Sequence, residues 1–250
     1  MISQSQPRHW MSLARPQLSL CWASFIVLMW FVSLAGAFTL PNAQTPVAYL
    51  LCGVLIRAFL HTGLFIVAHE AIHNNISNSR RLDDAFGSVA AGLYALLPYQ
   101  RLAQNHRLHH RFPATDRDPD YQAGDSTNFL TWYVKFMTTY QSGGQVWVSL
   151  IGITIIFFAL MACQVSIANM MLFWIIPIVI SSLQLFTFGI FLPHRQNDSE
   201  FKCRHRARSI NLPVFWSFIT CYHFGYHLEH HLYPHLPWYQ LPQAYRANKV

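Results

Sequence analysis

The stretch Cys221-Tyr-His-Phe-Gly-Tyr-His-Leu-Glu-His-His-Leu-Tyr-Pro234 sets three imidazoles, His227, His230 and His231, at i, i+3 and i+4. On a helix, side chains at that spacing leave from one face within about one turn. The pattern recurs: His69 and His73 stand at i and i+4, and His106, His109 and His110 repeat the trio. Three short windows thus hold eight of the chain's fourteen histidines. Neutral imidazole is a ligand for iron, zinc and copper, and eight are more than one ion takes. The spacing points to a site for two metal ions.

The rest of the chain shows how such a site is carried. Hydrophobic residues make up 53% and charged residues only 11% of the 250 residues, which is a membrane composition rather than that of one or two soluble domains. Four runs approach the roughly 20 residues a bilayer requires: 18–40, 47–68, 146–163 and 170–192. Two shorter apolar stretches, 85–98 and 212–225, fall below that length and are expected to be re-entrant or to lie at the interface. The aromatic stretch Phe129–Tyr140 carries one lysine and reads as an interfacial helix. The first run follows Arg8 and Arg15 but is too long for a signal-peptide core, so it is read as a retained span. Five scattered cysteines form no paired spacing, which suits a reducing compartment. The expectation is a single all-α integral-membrane domain over residues 1–250.

Charge fixes the expected orientation. Sixteen of the seventeen Lys and Arg lie in the N-terminal tail, in 69–145 or after 192, and Arg57 alone is inside a run. The links 41–46 and 164–169 carry no charge. The positive-inside rule then places both termini, and every clustered histidine, on the cytoplasmic side. The net charge of +7 suits an anionic membrane surface, and no nucleic acid is expected as a partner.

Several metal chemistries compete for the histidines. His69-Glu70-Ala71-Ile72-His73 matches the zinc-protease pattern HExxH, but a protease gives no reason for two further histidine windows and ranks below a two-metal site. A carboxylate-bridged di-iron bundle needs more than the three glutamates present, Glu70, Glu200 and Glu229. A haem needs only one or two axial histidines. What remains is a histidine-rich di-iron oxygenase, because iron accepts imidazole and activates oxygen. Eight histidines leave two ions short of ligands. His194, ending the fourth run, is preferred as a ninth, and His223, one turn before His227, is the alternative. Asp118 and Asp120 are expected to orient the ligand histidines by accepting their outer N–H groups. His9, His205 and His235 read as ordinary polar residues. His61 is expected to bond Arg57 or a backbone group, and Arg57 to face the bundle interior.

The three windows resemble those of the membrane fatty-acid desaturase/hydroxylase superfamily of di-iron enzymes. Longer strings resemble one branch, the bacterial-type β-carotene ketolases: Leu96-Leu-Pro-Tyr-Gln100, Asn105-His-Arg-Leu-His-His110 with Asp118-Pro-Asp-Tyr121, Phe188-Gly-Ile-Phe-Leu-Pro-His194, Ser217 to His231, and Trp238-Tyr-Gln-Leu-Pro242. The resemblance runs from about Leu60 onward and departs at Glu70, where aspartate is expected; the charge is kept. It implies a cytoplasmic di-iron cap on four spans. The implied reaction is O2-dependent oxidation of C4 on β-ionone rings, from β-carotene through echinenone to canthaxanthin, by two hydroxylations and loss of water. A ring-3 hydroxylase or a lipid desaturase or hydroxylase of the same superfamily is the alternative. No glycine-rich cofactor motif is present, so electrons are expected from an external donor, a reduced ferredoxin. The basic segment Arg195–Arg208 would dock that acidic partner or meet anionic lipid. A carotenoid stays in the bilayer and would reach the site laterally, past aromatics such as Tyr94, Phe186, Phe188, Phe224 and Tyr226.

Overall fold

In the computed structural model, which describes residues 16–122, 128–195 and 204–249, every extended element is a helix. The tail bearing Arg8 and Arg15, together with Lys202 and most of the basic segment before Arg204, lies outside the described residues. Four helices are long and apolar enough to cross a membrane: α1 (Pro16–Phe38), α2 (Val47–Ile72), α6 (Gln145–Ala162) and α7 (Ile167–His194). Between and after them lie α3 (Arg80–Ala95), α4 (Tyr99–Arg111), α5 (Phe129–Tyr140), α8 (Val214–Cys221), α9 (His227–Leu232) and α10 (Leu241–Asn248). The four spans match the four apolar runs within a few residues.

The largest difference is at the end of α2, which continues through Ile72 instead of stopping at Ala68. Nothing in His69-Glu-Ala-Ile72 breaks a helix, and the extra turn carries the first histidine window clear of the apolar span. At about 1.5 Å per residue, 26 residues reach roughly 39 Å, more than the hydrocarbon thickness. α2 is the central helix. From Thr62 to Ile72 all but Phe65 are buried, against α1 on one side, α3 on another and α7 on a third.

α3 begins at Arg80, five residues before the apolar stretch, because its first turn is polar. Arg80 pairs with Asp84 one turn on, at 2.8 Å, and Ser77 Oγ bonds Asp83 ahead of the apolar face. It runs down beside α2 until the Tyr94 carbonyl accepts a hydrogen bond from His61 Nε2 at 2.8 Å. His61 lies twelve residues, about 18 Å, below His73. There Leu96 turns left-handed at φ 55°, closing the helix with Leu96 N–H to Gly92 O and Leu97 N–H to Ala91 O. Pro98 then starts α4 back toward the histidines. The α3–α4 pair is therefore a helical hairpin that descends beside α2 and returns toward the histidines.

α7 is not a uniform α-helix. It contains π turns at Met171–Ile175 and Phe186–Phe191, each followed by a proline, Pro177 and Pro193. Proline removes an i→i−4 donor and forces a local rearrangement of the helix. α6 is the least packed span, with Val148, Ile151, Ile155 and Phe158 all exposed on its surface. α5 packs its fully buried Trp132 into an aromatic cluster with Tyr121, Phe186 and Phe191. Its start is fixed by Asn128, whose Oδ1 accepts from Leu130 N and Thr131 N at 3.1 and 3.2 Å.

Candidate metal centre

Four helix segments end at one level and supply the histidines. α2 gives His69 in its last turn and His73 at its cap, α4 gives His106, His109 and His110, α7 ends on His194, and α9 gives His227, His230 and His231. Their nitrogens form two groups. His69, His73, His106, His110 and His230 make one, and His109, His194, His227 and His231 the other; within each, the ligand atoms lie within 4.8 Å of one another. The division follows from helix geometry. Residues four apart differ by about 40° in direction, whereas the residue three along points about 60° the other way. In α4 the i, i+4 pair His106/His110 serves one group and His109 crosses to the other. In α9 the pair His227/His231 serves the second group and His230 crosses to the first. Two short helices thus tie both groups together.

The tautomers show what these groups need. His109 Nδ1–H donates to Asp118 Oδ2 at 2.9 Å, so its Nε2 carries a lone pair, and that atom faces His231 Nε2 at 3.1 Å. His194 Nδ1–H donates to the Arg206 carbonyl at 2.9 Å, and its Nε2, buried, has no protein partner. His69 Nδ1–H donates to Glu70 Oε1 at 3.3 Å while its Nε2 faces His230 Nε2 at 3.2 Å. Lone pairs converging in a buried space are unfavourable unless a cation lies between them. The donor set fits two metal ions: nine imidazoles, no thiolate, and three outer nitrogens, those of His69, His109 and His194, held by two carboxylates and a carbonyl.

Asp118 is the best anchored of these outer partners. It accepts from His109 and also from the backbone N–H of Ala114 and of Asp120, each at 2.9 Å. Burial alone would raise its carboxyl, but the electrostatic interaction and hydrogen bond with His109, joined by the Ala114 and Asp120 N–H groups, outweigh this and hold it below the usual range. His109 moves oppositely: burial would lower it, and Asp118 raises it. Asp120 is less directly engaged. Its Oδ2 lies 4.0 Å from His109 Nδ1, its Oδ1 accepts from Tyr140 Oη at 2.8 Å, and burial pushes it up to about 6.

His223 stands apart from both groups. Tyr222 and His223 adopt φ 47° and 65°, breaking the chain between α8 and α9. His223 therefore shares no helix with His227, and its ring stacks with Tyr226 and Trp238 and lies tilted against Phe218. His205 has its ring centroid 6.0 Å from that of His231 but also lies outside the groups. His61 accepts from Trp30 Nε1 at 3.1 Å and donates to Tyr94 O, a satisfied structural histidine as the sequence suggested. Glu229 points away from the centre, held by Ser209 and by Asn248 Nδ2 at 3.3 Å. Glu70 also faces outward: its Oε2 accepts from Asn75 Nδ2 at 3.3 Å and Trp238 N at 3.4 Å. A protease base would have to face the metal-bound water instead. Asn75, Tyr140, Trp238 and the Arg206 carbonyl are partners no sequence spacing pointed to.

The five expected channel aromatics divide. Phe224 lines a small cavity of about 30 Å³ beside the metal groups, with His69, His106, His109, His227 and Phe65. Tyr94 lines a separate cavity of about 430 Å³ under α3. Phe188 packs against the main core. Phe186 belongs to the aromatic cluster around Trp132, and Tyr226 bonds Leu212 O through its hydroxyl and stacks on Tyr245. Both of these are packing residues.

Comparison with known proteins agrees with this geometry. The fatty acid desaturase family model matches residues 44–249. A β-carotene ketolase of Paracoccus sp. (strain PC1) is 38% identical over 89% of this chain and 90% of its own length. A second, from Paracoccus sp. (strain N81106 / MBIC 01143), is 34% identical over 88% of both chains. The zeaxanthin 4-ketolase of Chlamydomonas reinhardtii is 33% identical over 89% of this chain and 50% of its own length. No solved structure gives a significant match. With four apolar spans, two convergent histidine groups and relatives of this kind along most of its length, the chain belongs to the fatty acid desaturase family, among the β-carotene ketolases.

Proposed function

We propose that this protein is an O2-dependent di-iron oxygenase that introduces a keto group at C4 of β-ionone rings, converting β-carotene through echinenone to canthaxanthin. The observation that carries the proposal is the pair of histidine groups, whose buried lone pairs call for two metal ions beside a small cavity lined mainly by apolar side chains. The names of the β-carotene ketolases supply the substrate class, and that of the zeaxanthin 4-ketolase the ring position.

The nine histidines would hold iron, which would supply the oxygen-activating redox chemistry. The protein's own contribution is position and dryness. Asp118, Glu70 and the Arg206 carbonyl fix ring orientations through Nδ1–H, so that each Nε2 is aimed inward before any ion binds. Phe65, Ile72, Leu102 and Phe224 give the adjoining cavity a largely hydrocarbon wall that limits water at the histidines; at about 30 Å³ it must widen to take a β-ionone ring. Phe224 sits edge-on to His69, centroids 4.6 Å apart, and would bear on a ring presented there. Each hydroxylation consumes one O2, two electrons and two protons and releases one water; the second yields a gem-diol that loses water to the ketone. The electrons come from a reduced ferredoxin-type donor, and the histidine end of the bundle, with both termini, faces the cytoplasm. Expression in β-carotene-producing cells with chromatography of the pigments tests the reading. Echinenone and canthaxanthin are expected. Unchanged β-carotene overturns it, and zeaxanthin assigns ring-3 hydroxylation instead.

A further inference from the structure

The 430 Å³ cavity has a simple origin. α3 stops part-way across the membrane at Ala95, while α1, α6 and α7 continue past it. Gln145 Nε2 bonds the Leu96 carbonyl at 2.8 Å, and the Leu96 side chain presses on Gly152, so α6 touches the tip of α3. Beyond that contact Ile153, Ile156 and Leu160 of α6 face Trp174 and Ile178 of α7 across open apolar space. The cavity is aligned with the metal groups. In α7, Ile190 lines the small cavity at the histidines and Trp174 the large one, sixteen residues or about 24 Å apart. Between the two cavities stands one aromatic pair. Phe65 lines the small cavity, Tyr94 lines the large one, and their rings are 5.7 Å apart and edge-on. Tyr94 Oη is tethered by a hydrogen bond from Ser181 Oγ at 3.2 Å.

We propose that the cavity beneath α3 receives the far half of the substrate polyene while the near ring lies at the histidines, with Phe65 and Tyr94 forming the partition the polyene passes. The inference rests on the proposed carotenoid activity and adds to it a second, distal subsite. The bilayer is as apolar as this cavity, so seating the distal half there gains little hydrophobic free energy. What it gains is orientation: a rigid conjugated rod held at its far end presents its near ring in one pose. Filling the cavity should therefore slow turnover without displacing metal.

Gly92 provides the variant. It lines the cavity, and a Cβ there would meet no atom within 4 Å, so larger side chains extend into the space. Gly92 also lies within the last turn of α3 and is not at a left-handed position, so leucine is compatible with the helix there. The test compares wild type, Gly92→Ala and Gly92→Leu on β-carotene and on a truncated substrate with one β-ionone ring and half the polyene. Iron content is measured alongside. Expected is a fall of about tenfold or more in kcat for β-carotene in Gly92→Leu, turnover of the truncated substrate within about twofold of wild type, and an intermediate Gly92→Ala. Unchanged β-carotene turnover in Gly92→Leu overturns the inference and leaves the cavity to a lipid acyl chain. Equal loss on both substrates overturns it as well. Wild-type protein that ketolates neither substrate overturns the activity itself, a separate outcome.

Discussion

Arg57 donates from Nε to the Phe173 carbonyl at 3.0 Å, inside the bundle and far from the metal groups. The carbonyl is available because the residue four along is Pro177, which has no N–H to return. The same guanidinium donates from Nη1 to Trp30 O at 2.7 Å and to Ser33 Oγ at 2.8 Å, and it lies over the Trp30 ring. A cation in the second span is thus the clip that joins α1, α2 and the π turn of α7. Arg57→Met should cost about 2–4 kcal/mol, since it strands buried acceptors. The measurement is thermal unfolding of the purified protein in detergent. Adding Pro177→Ala restores an N–H to Phe173 O, so the double variant should be more stable than the sum of the two effects. Strict additivity would show that the clip does not depend on the proline.

Asp118 acts on one metal group only, because His109 belongs to the group of His194, His227 and His231. Loss of an outer partner of this kind typically weakens metal binding by about 10–100-fold. Asp118→Asn should lower the metal content toward one ion per chain, as read by elemental analysis. Asp120→Asn should do so less, since its carboxylate lies 4.0 Å from the same ring nitrogen. Equal losses in the two variants would assign the orienting role to the pair rather than to Asp118.

His194 and His223 separate cleanly. His194 Nε2 is buried, unpartnered and aimed at the second group, whereas His223 lies beyond a left-handed break and stacks on Trp238. His194→Ala should lose metal and ketone formation, and His223→Ala should keep its metal while losing modest stability. The reverse pattern of metal contents would make His223 the ninth ligand.

The clustering of the histidine windows was legible because helical spacing converts directly into direction: i, i+3 and i+4 suffice to place His106, His109 and His110 on one side of their helix. The spans were legible because about 20 apolar residues have one economical arrangement in lipid. What the sequence did not disclose depends on distant backbone. The break at Tyr222–His223 carries no glycine or proline at the left-handed positions, so nothing local contradicts the placing of His223 one helical turn before His227. The division of nine histidines between two groups is a property of helix docking. Partners such as Trp238 N for Glu70, 168 residues away, have no local signature. Phe186 and Tyr226 are candidate channel aromatics only through the carotenoid substrate that the resemblance implies, and a substrate class does not distinguish a lining ring from a packed one.

Glu70 tests the metal chemistry. Its three partners, His69 Nδ1, Asn75 Nδ2 and Trp238 N, are all donors, which an amide oxygen still satisfies in part. Glu70→Gln should therefore reduce ketone formation by about tenfold, not abolish it, as expected for an orienting group. A complete loss with metal content unchanged would show that Glu70 exchanges protons at the reacting centre, the role a zinc-protease arrangement gives it.

Removing the metal should loosen one end of the molecule and spare the other. α9 has six residues, too short to hold a helix alone, and three of them are clustered histidines. Its other ties are Glu229 to Ser209 and Asn248, and Leu228 N to Ser209 Oγ at 3.1 Å. α2, by contrast, is buried along Thr62–Ala68 by hydrocarbon contacts that no ion supports. A ligand present at 100 times its dissociation constant stabilises what it binds by about 2.7 kcal/mol, or roughly 100-fold in the opening equilibrium. Hydrogen exchange after chelation should accordingly speed up by at least about that factor at His230 and Tyr233, whose amides bond Tyr226 O and Glu229 O. Amides of Val67 and Ala68 should keep their protection. If α9 stays as protected in the metal-free protein as in the loaded one, the cap is preformed by its hydrogen bonds, and the ions are guests of a rigid site rather than part of what folds it.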